Sequence, residues 1–185
     1  MDDLITTITE ERYLREQRRR RSPHTSLWAM LDCVKDPEIP ELSIWDIGIL
    51  QDVAICNGKV TIIITPTYSG CPAMDLIRED ITSALHKGGF ENVEVTLQLS
   101  PAWTTDWMTA EAIQRMRGSG IAPPGDVTDS CKRACSVGED SVVRALCPRC
   151  ESSNTRLVSE FGSTACKSLF QCDDCGEPFD YFKKI

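Results

Sequence analysis

The sequence predicts a small α/β domain, a three-stranded sheet packed with helices in the order α-β-β-α-β-α, followed by a C-terminal ribbon of metal-ligating cysteines. Three observations carry this. Two stretches rich in β-branched residues flank Asn57-Gly58, a dipeptide suited to a tight hairpin turn. Apolar residues recur at helical spacing before, between and after the strands. Near the end stand Cys147-Pro-Arg-Cys150 and Cys172-Asp-Asp-Cys175, twenty-one residues apart, which read as a four-thiolate metal site of zinc-ribbon type. A chain of 185 residues, 41% apolar and 26% charged, has room for one compact domain and one small module.

Residues 1–21 form a charged extension. Its Arg18-Arg19-Arg20-Arg21 run is nearly neutralised by Asp2, Asp3, Glu10, Glu11 and Glu16, and it reads as a solvated helix face or mobile arm rather than a binding site. The α/β domain is placed at 22–118. Ser22-Pro23 marks a helix start, with Leu27, Trp28, Met30, Leu31 and Val34 on its apolar face. Asp36-Pro-Glu-Ile-Pro-Glu41 ends it, because two prolines enforce an extended or looped path. Strands follow at Leu50 to Ile55 and Val60 to Thr65. A second helix is expected from Pro72 to about Lys87, with Ile77, Ile81 and Leu85 on one face and Gly88-Gly89 as its stop. Val93, Val95, Leu97 and Leu99 alternate with polar residues as a strand, and Trp107 to Arg117 can form a last short helix. Glycines and adjacent prolines mark 119–140 as a linker, which leaves 141–185 as the ribbon.

Charge and hydropathy remove several classes. The net charge is −8; residues 22–118 carry thirteen acids against six bases, and residues 141–185 balance at six of each. Four thiolates on a divalent ion add two formal negative charges to the ribbon, poor electrostatics for gripping phosphates, so nucleic acid is not an expected partner. No run of eighteen apolar residues and no signal-peptide pattern is present, and a cytoplasmic location without membrane attachment is expected. In that compartment ten cysteines favour metal and thiol chemistry over disulfides. There is no Ser/His/Asp arrangement, phosphate-cradling glycine loop or di-iron carboxylate–histidine pattern, so independent catalysis is not expected.

The candidate ligands separate into two groups. Cys147, Cys150, Cys172 and Cys175 are the metal set; zinc is the default for a closed tetrathiolate, while the same sulfurs would also hold a single iron or an iron–sulfur cluster. Cys166 lies between the two pairs as an accessory thiol beside the site. Cys131 and Cys135 are read as incidental linker cysteines. In the α/β domain, Cys71 follows Ser69-Gly70 and precedes a helix, whose exposed amides favour a thiolate able to hold iron or a cluster transiently; the alternative is a small cysteine filling a turn. Asp36 and Glu38 offer hard oxygen ligands on a stiff loop, of interest if the fold brings them near Cys71. Trp103 and Trp107 are expected to pack against the sheet, and His24 and His86 to lie at the surface or at helix ends.

The run Asp36-Pro-Glu-Ile-Pro-Glu-Leu-Ser-Ile-Trp-Asp-Ile-Gly-Ile-Leu50, followed by Thr65-Pro-Thr-Tyr-Ser-Gly-Cys-Pro-Ala-Met74, resembles the iron–sulfur-assembly domain family that includes SufT. The tail Phe161-Gly-Ser-Thr-Ala-Cys-Lys167, with Cys172-x-x-Cys175 and Glu177-Pro-Phe-Asp-Tyr-Phe-Lys183, resembles the PaaD (also PaaJ) branch, which fuses that domain to a zinc ribbon. The resemblance spans about residues 24–185. It implies assembly or delivery of iron or iron–sulfur centres to the multicomponent oxygenase that epoxidises phenylacetyl-CoA in aerobic phenylacetate catabolism. It also implies Cys71 as the motif thiol and Asp36 and Glu38 as the acidic loop. Implied partners are the oxygenase and reductase subunits and the iron–sulfur assembly machinery, with a homodimer also admitted. The family pattern places glycine after the second ribbon cysteine, where this chain has Glu151, a departure that touches knuckle geometry without removing a ligand. A stoichiometric structural or electron-transfer subunit of the oxygenase is the competing reading, followed by a thiol oxidoreductase using the Cys-x-x-Cys pairs.

Overall fold

A computed structural model describes residues 10–125 and 145–185. The chain divides into two compact units, residues 1–112 and 113–185, taken in turn below.

The first unit is built on a mixed sheet. Strands β1 (Leu50–Cys56) and β2 (Lys59–Ile64) pair antiparallel, and β3 (Val93–Leu97) joins β2 in parallel, giving the order β1-β2-β3. The hairpin turn has Asn57 at φ 50° and Gly58 at φ 77°, the left-handed pair that this dipeptide adopts readily. On β2 the alternation is complete, with Val60, Ile62 and Ile64 fully buried. Helix α3 (Ala73–Lys87) buries Ile77, Ile81 and Leu85 at four-residue spacing, packs against β3 and helix α2 (Thr25–Leu31), and ends at Gly88. Helix α2 begins three residues later than its Ser-Pro signal; Ser22 Oγ instead accepts the His24 N–H at 3.2 Å. The tryptophan-rich segment starts with a 3-10 turn (Thr105–Trp107) before helix α4 (Ala110–Gly118), so the expected last helix begins three residues late.

The loop from 36 to 50 is a folded core element. Asp46 Oδ2 accepts the Ser43 N–H at 3.0 Å and hydroxyl at 2.8 Å, and Asp46 Oδ1 accepts the Thr109 hydroxyl at 3.3 Å. Gly48 sits at φ +86°, and a Cβ there would lie 2.9 Å from Trp107 Cβ and 3.2 Å from Trp103 Nε1. Glycine therefore does two things at once: it takes the left-handed turn and lets the Trp103 indole and the Trp107 main chain close on the loop. Both tryptophans are buried, here against the loop, and Trp103 Nε1 donates to Ile47 O at 3.1 Å.

In the Arg18–Arg21 run, Arg18, Arg20 and Arg21 are exposed, as a solvated helix face would have them. Helix α1 (Glu10–Arg21) also has an inner side that the sequence reading did not foresee, where Arg15 is buried at 4% exposure. Its guanidinium donates to the carbonyls of Trp107, Leu50 (3.0 Å) and Trp45 (3.4 Å) and lies 4.2 Å over the Trp45 ring. One turn on, Arg19 stacks 4.8 Å from Trp45 and pairs with Asp32 at 2.5 Å, while Glu11 accepts from Trp107 Nε1 at 2.7 Å. Spacing of charge alone could not show this, since arginine packs through its flat face and long stem.

The second unit carries a four-stranded sheet, β4 (Ile121–Ala122), β5 (Thr155–Ser159), β6 (Lys167–Cys172) and β7 (Pro178–Phe182), in the order β4-β7-β6-β5. β5, β6 and β7 form an antiparallel meander. Residues 121–122, inside the stretch read as linker, pair parallel with β7. A small core of Phe170, Phe179, Tyr181, Ala122 and Ala145 includes the sulfur-bearing Cys147 and Cys172, and Phe170 stacks on Phe179 at 5.9 Å between centroids. Cys131 and Cys135 lie outside the described residues.

Candidate metal centre and helix-start thiol

Two matching knuckles make the metal site. In the first, the Cys147 N–H donates to Ser152 O at 2.9 Å and the Glu151 N–H to Cys147 O at 2.8 Å; in the second, Cys172 N–H donates to Glu177 O at 2.9 Å and Gly176 N–H to Cys172 O at 3.0 Å. The residue after each second cysteine takes the left-handed conformation, Glu151 at φ 60° and Gly176 at φ 76°. Glu151 thus takes the conformation that Gly176 takes in the other knuckle, at a conformational cost that glycine avoids.

All four ligand sulfurs lie within 4.8 Å of one another, with Cys147–Cys175 at 3.7 Å and Cys150–Cys172 at 3.6 Å. A tetrahedron with metal–sulfur bonds of about 2.3 Å has edges of about 3.8 Å, so these sulfurs fit a single zinc-sized ion. Cys147 and Cys172 are buried, Cys150 and Cys175 exposed. Backbone N–H groups of Cys175 and Asp174 hold the Cys172 thiol down at about 7. At Cys150 the Ser152 N–H favours the thiolate, but the neighbouring sulfurs and desolvation outweigh it and push the thiol up to about 12. One sulfur therefore ionises readily, and an incoming cation displaces the protons from its neighbours.

A polar clamp around the sulfurs was not evident from sequence. Asp174 in the second knuckle accepts from Asn154 Nδ2 at 2.7 Å and from the Ser152 hydroxyl, contacts that hold its carboxyl below the usual range. Arg149 binds Glu177 at 2.6 Å, which together with the Cys175 and Cys147 sulfurs raises the guanidinium above its ordinary value. The clue was the placement of Ser, Asn and Asp just after one knuckle and inside the other, a short-range polar pattern shared with ordinary turns. Cys166 is a correction. Its sulfur contacts Thr164 Oγ1 at 3.1 Å at the start of β6, whereas Cys172 ends that strand, roughly 20 Å away at about 3.3 Å per residue. It is neither a ligand nor a neighbour of the ion site.

In the first unit, Cys71 is half-buried immediately before Pro72, the residue that caps α3. Its N–H donates to Tyr68 O at 3.1 Å and its carbonyl accepts from Met74 at 3.4 Å, so a turn delivers it to the helix start. Asp36 is 6% exposed and its Oδ1 accepts the Glu38 and Ile39 N–H groups at 2.8 and 3.0 Å. That acid thus holds the Pro37–Pro40 loop in shape, and it borders a hollow faced by Asp80, Ser83 and Lys87 of α3. Glu38 is half-buried. Among the described residues, the four ribbon cysteines are the one set of three or more acidic, thiol or imidazole side chains within reach of a single ion; Cys71, Asp36 and Glu38 do not form another. No helix among the described residues is long and apolar enough to cross a membrane.

Comparison with known proteins agrees with this two-part architecture. A family model described as an iron–sulfur cluster assembly protein matches residues 25–102, and one described as the PaaD zinc β ribbon domain matches 131–183. A protein of Escherichia coli (strain K12), named as a subunit of a "Putative 1,2-phenylacetyl-CoA epoxidase", is 50% identical over 159 residues, covering 86% of this chain and 92% of its own length. An "Fe-S protein maturation auxiliary factor" of Porphyromonas gingivalis (strain ATCC BAA-308 / W83) is 37% identical over 86 residues, 45% of this chain and 81% of that one. A crystal structure of a domain of unknown function, DUF59, from Bacillus anthracis aligns with a TM-score of 0.47 at 27% identity, covering 56% of this chain and 95% of that one. The class is an iron–sulfur-assembly-type α/β domain joined to a zinc ribbon. Within it, the chain belongs to the PaaD family, on the strength of the ribbon match and of the E. coli relative aligned over nearly its whole length.

Proposed function

We propose that this protein is a non-catalytic accessory factor that assembles or delivers iron or iron–sulfur centres for the phenylacetyl-CoA epoxidase system, in the cytoplasm. Cys71 is the transient ligand, Asp36 and Glu38 shape and charge the loop region of that domain, and zinc in the Cys147/Cys150/Cys172/Cys175 site is structural. The observation that carries this reading is the separation of two kinds of sulfur. Four thiols close on one ion, whereas Cys71 stands half-buried at a helix start in the other unit, outside that set. A cargo held by one protein sulfur takes its remaining ligands from elsewhere, which suits transfer to a client better than storage.

Coexpression of the oxygenase and reductase with wild-type or Cys71→Ala protein, followed by iron and sulfide quantification of the clients, tests this. The expected result is a client iron content several-fold lower with the variant, while the variant keeps its fold and its ribbon metal. Equal iron loading would reject the assignment. The name of the E. coli relative favours a second reading, a stoichiometric structural or electron-transfer subunit. That reading expects stable copurification and, for electron transfer, a coloured, redox-active iron site in place of colourless zinc.

A further inference from the structure

The loop from Ser159 to Lys167 is tightly held, yet it exposes its largest side chain. Phe161 is 63% exposed, the most exposed of the large apolar residues described. The backbone around it is fixed by Gly162 N–H to Lys167 O at 2.8 Å, Lys167 N–H to Thr164 O at 3.1 Å and the Ser168 hydroxyl to Glu160 O at 3.1 Å. Gly162 lies so close to β7 that a Cβ would stand 2.7 Å from Asp180 Oδ1. Beside the ring, Lys183 Nζ lies 4.3 Å from its centroid and donates to Ala165 O at 2.9 Å, and Lys184 is exposed. Neither lysine has a carboxylate partner among the described residues. Leu157, 44% exposed, lines a hollow together with Lys183 and Lys184.

We propose that Phe161, flanked by Lys183 and Lys184, is the anchor by which the ribbon docks a partner protein that offers an apolar pocket rimmed by carboxylates. A rigid loop loses little conformational entropy when its aromatic side chain is buried, and a central aromatic beside an available cation is the composition of an interface hot spot. The metal end of the ribbon holds the acids Glu151, Asp173, Asp174 and Glu177, of which Glu177 and Asp173 are paired with Arg149 and Arg156. At the opposite end Asp180 faces Lys167 at 3.7 Å, and Lys183 and Lys184 share a hollow with one acid, Glu160, so cations outnumber anions beside the ring and charge complementarity selects an acidic rim. The partner is an epoxidase subunit, an assignment that rests on the reading proposed above.

The test is binding of the full chain to purified epoxidase oxygenase and reductase subunits, comparing wild type, Phe161→Ala and Lys184→Glu. The expected result is a Kd at least tenfold weaker for Phe161→Ala and a weaker, less salt-sensitive complex for Lys184→Glu, with thermal midpoint and bound metal unchanged in both. Three outcomes would overturn it: no wild-type binding to any of these subunits, binding unchanged within twofold in both variants, or Phe161→Ala disrupting a homodimer instead. Failure of Cys71→Ala to alter client iron, with docking still lost in Phe161→Ala, would reject the maturation role and leave the docking site standing.

Discussion

At the residue scale, the most informative side chain is Glu151. A non-glycine residue in the left-handed region brings its Cβ against the backbone, and at φ 60° Glu151 bears this strain at a position where Gly176 in the matching knuckle does not. Glu151→Gly is expected to stabilise the second unit by about 0.5–1 kcal/mol, the relief of strain being offset in part by the looser unfolded chain. Chemical denaturation with the metal bound would show a higher midpoint; a lower one would mean the glutamate side chain contributes more than its backbone costs. Cys71 was legible in sequence because a loop, a proline and an amphipathic helix follow one another there. Asp36 was legible as a loop acid, but its two backbone hydrogen bonds depend on how the Pro37–Pro40 turn closes, which residue types alone do not specify.

At the scale of elements, helix α1 is the one that sequence patterns miss. It is overwhelmingly charged, and no apolar spacing marks its buried side. Arg15 binds three carbonyls from the Trp45 loop, the β1 start and the tryptophan turn, so it joins segments far apart in the chain. Burial lowers its pKa to about 10, which leaves it charged at neutral pH, compensated by those carbonyls and the Trp45 face. Arg15→Ala is expected to cost about 2–3 kcal/mol in urea unfolding, the carbonyls being left unpaired, whereas Arg20→Ala on the exposed side should change stability by less than about 0.5 kcal/mol. Equal effects would show that α1 does not clasp the domain. The hairpin, α3 and β3, by contrast, were read nearly to their ends, because period-2 and period-3.6 patterns and glycine turns are local signals.

At the scale of the whole molecule, the two units differ in what holds them. The first buries an extended apolar core across its sheet and helices, while the ribbon has a few aromatics and the four-thiol site. Removing the ion should therefore unfold the ribbon and spare the α/β unit, seen as loss of one of two calorimetric transitions on chelation. Acid should do the same. The ion requires four thiolates, Cys172 ionises near 7 and Cys150 and Cys175 sit above their ordinary value, so protons compete for the sulfurs and affinity falls as pH drops. Ion release that did not depend on pH below neutrality would contradict the tetrathiolate. By itself, the sequence determined the strands and the long helix of the α/β domain, the paired cysteine knuckles and the family, because each is written in spacing along the chain. Only the tertiary structure decided that Arg15 is a core residue, that Cys166 stands a strand's length from the ion site, and that Phe161 is held out to solvent. Those facts depend on which distant segments meet, and burial of a charge or exposure of an aromatic is a property of the packed surface rather than of local sequence.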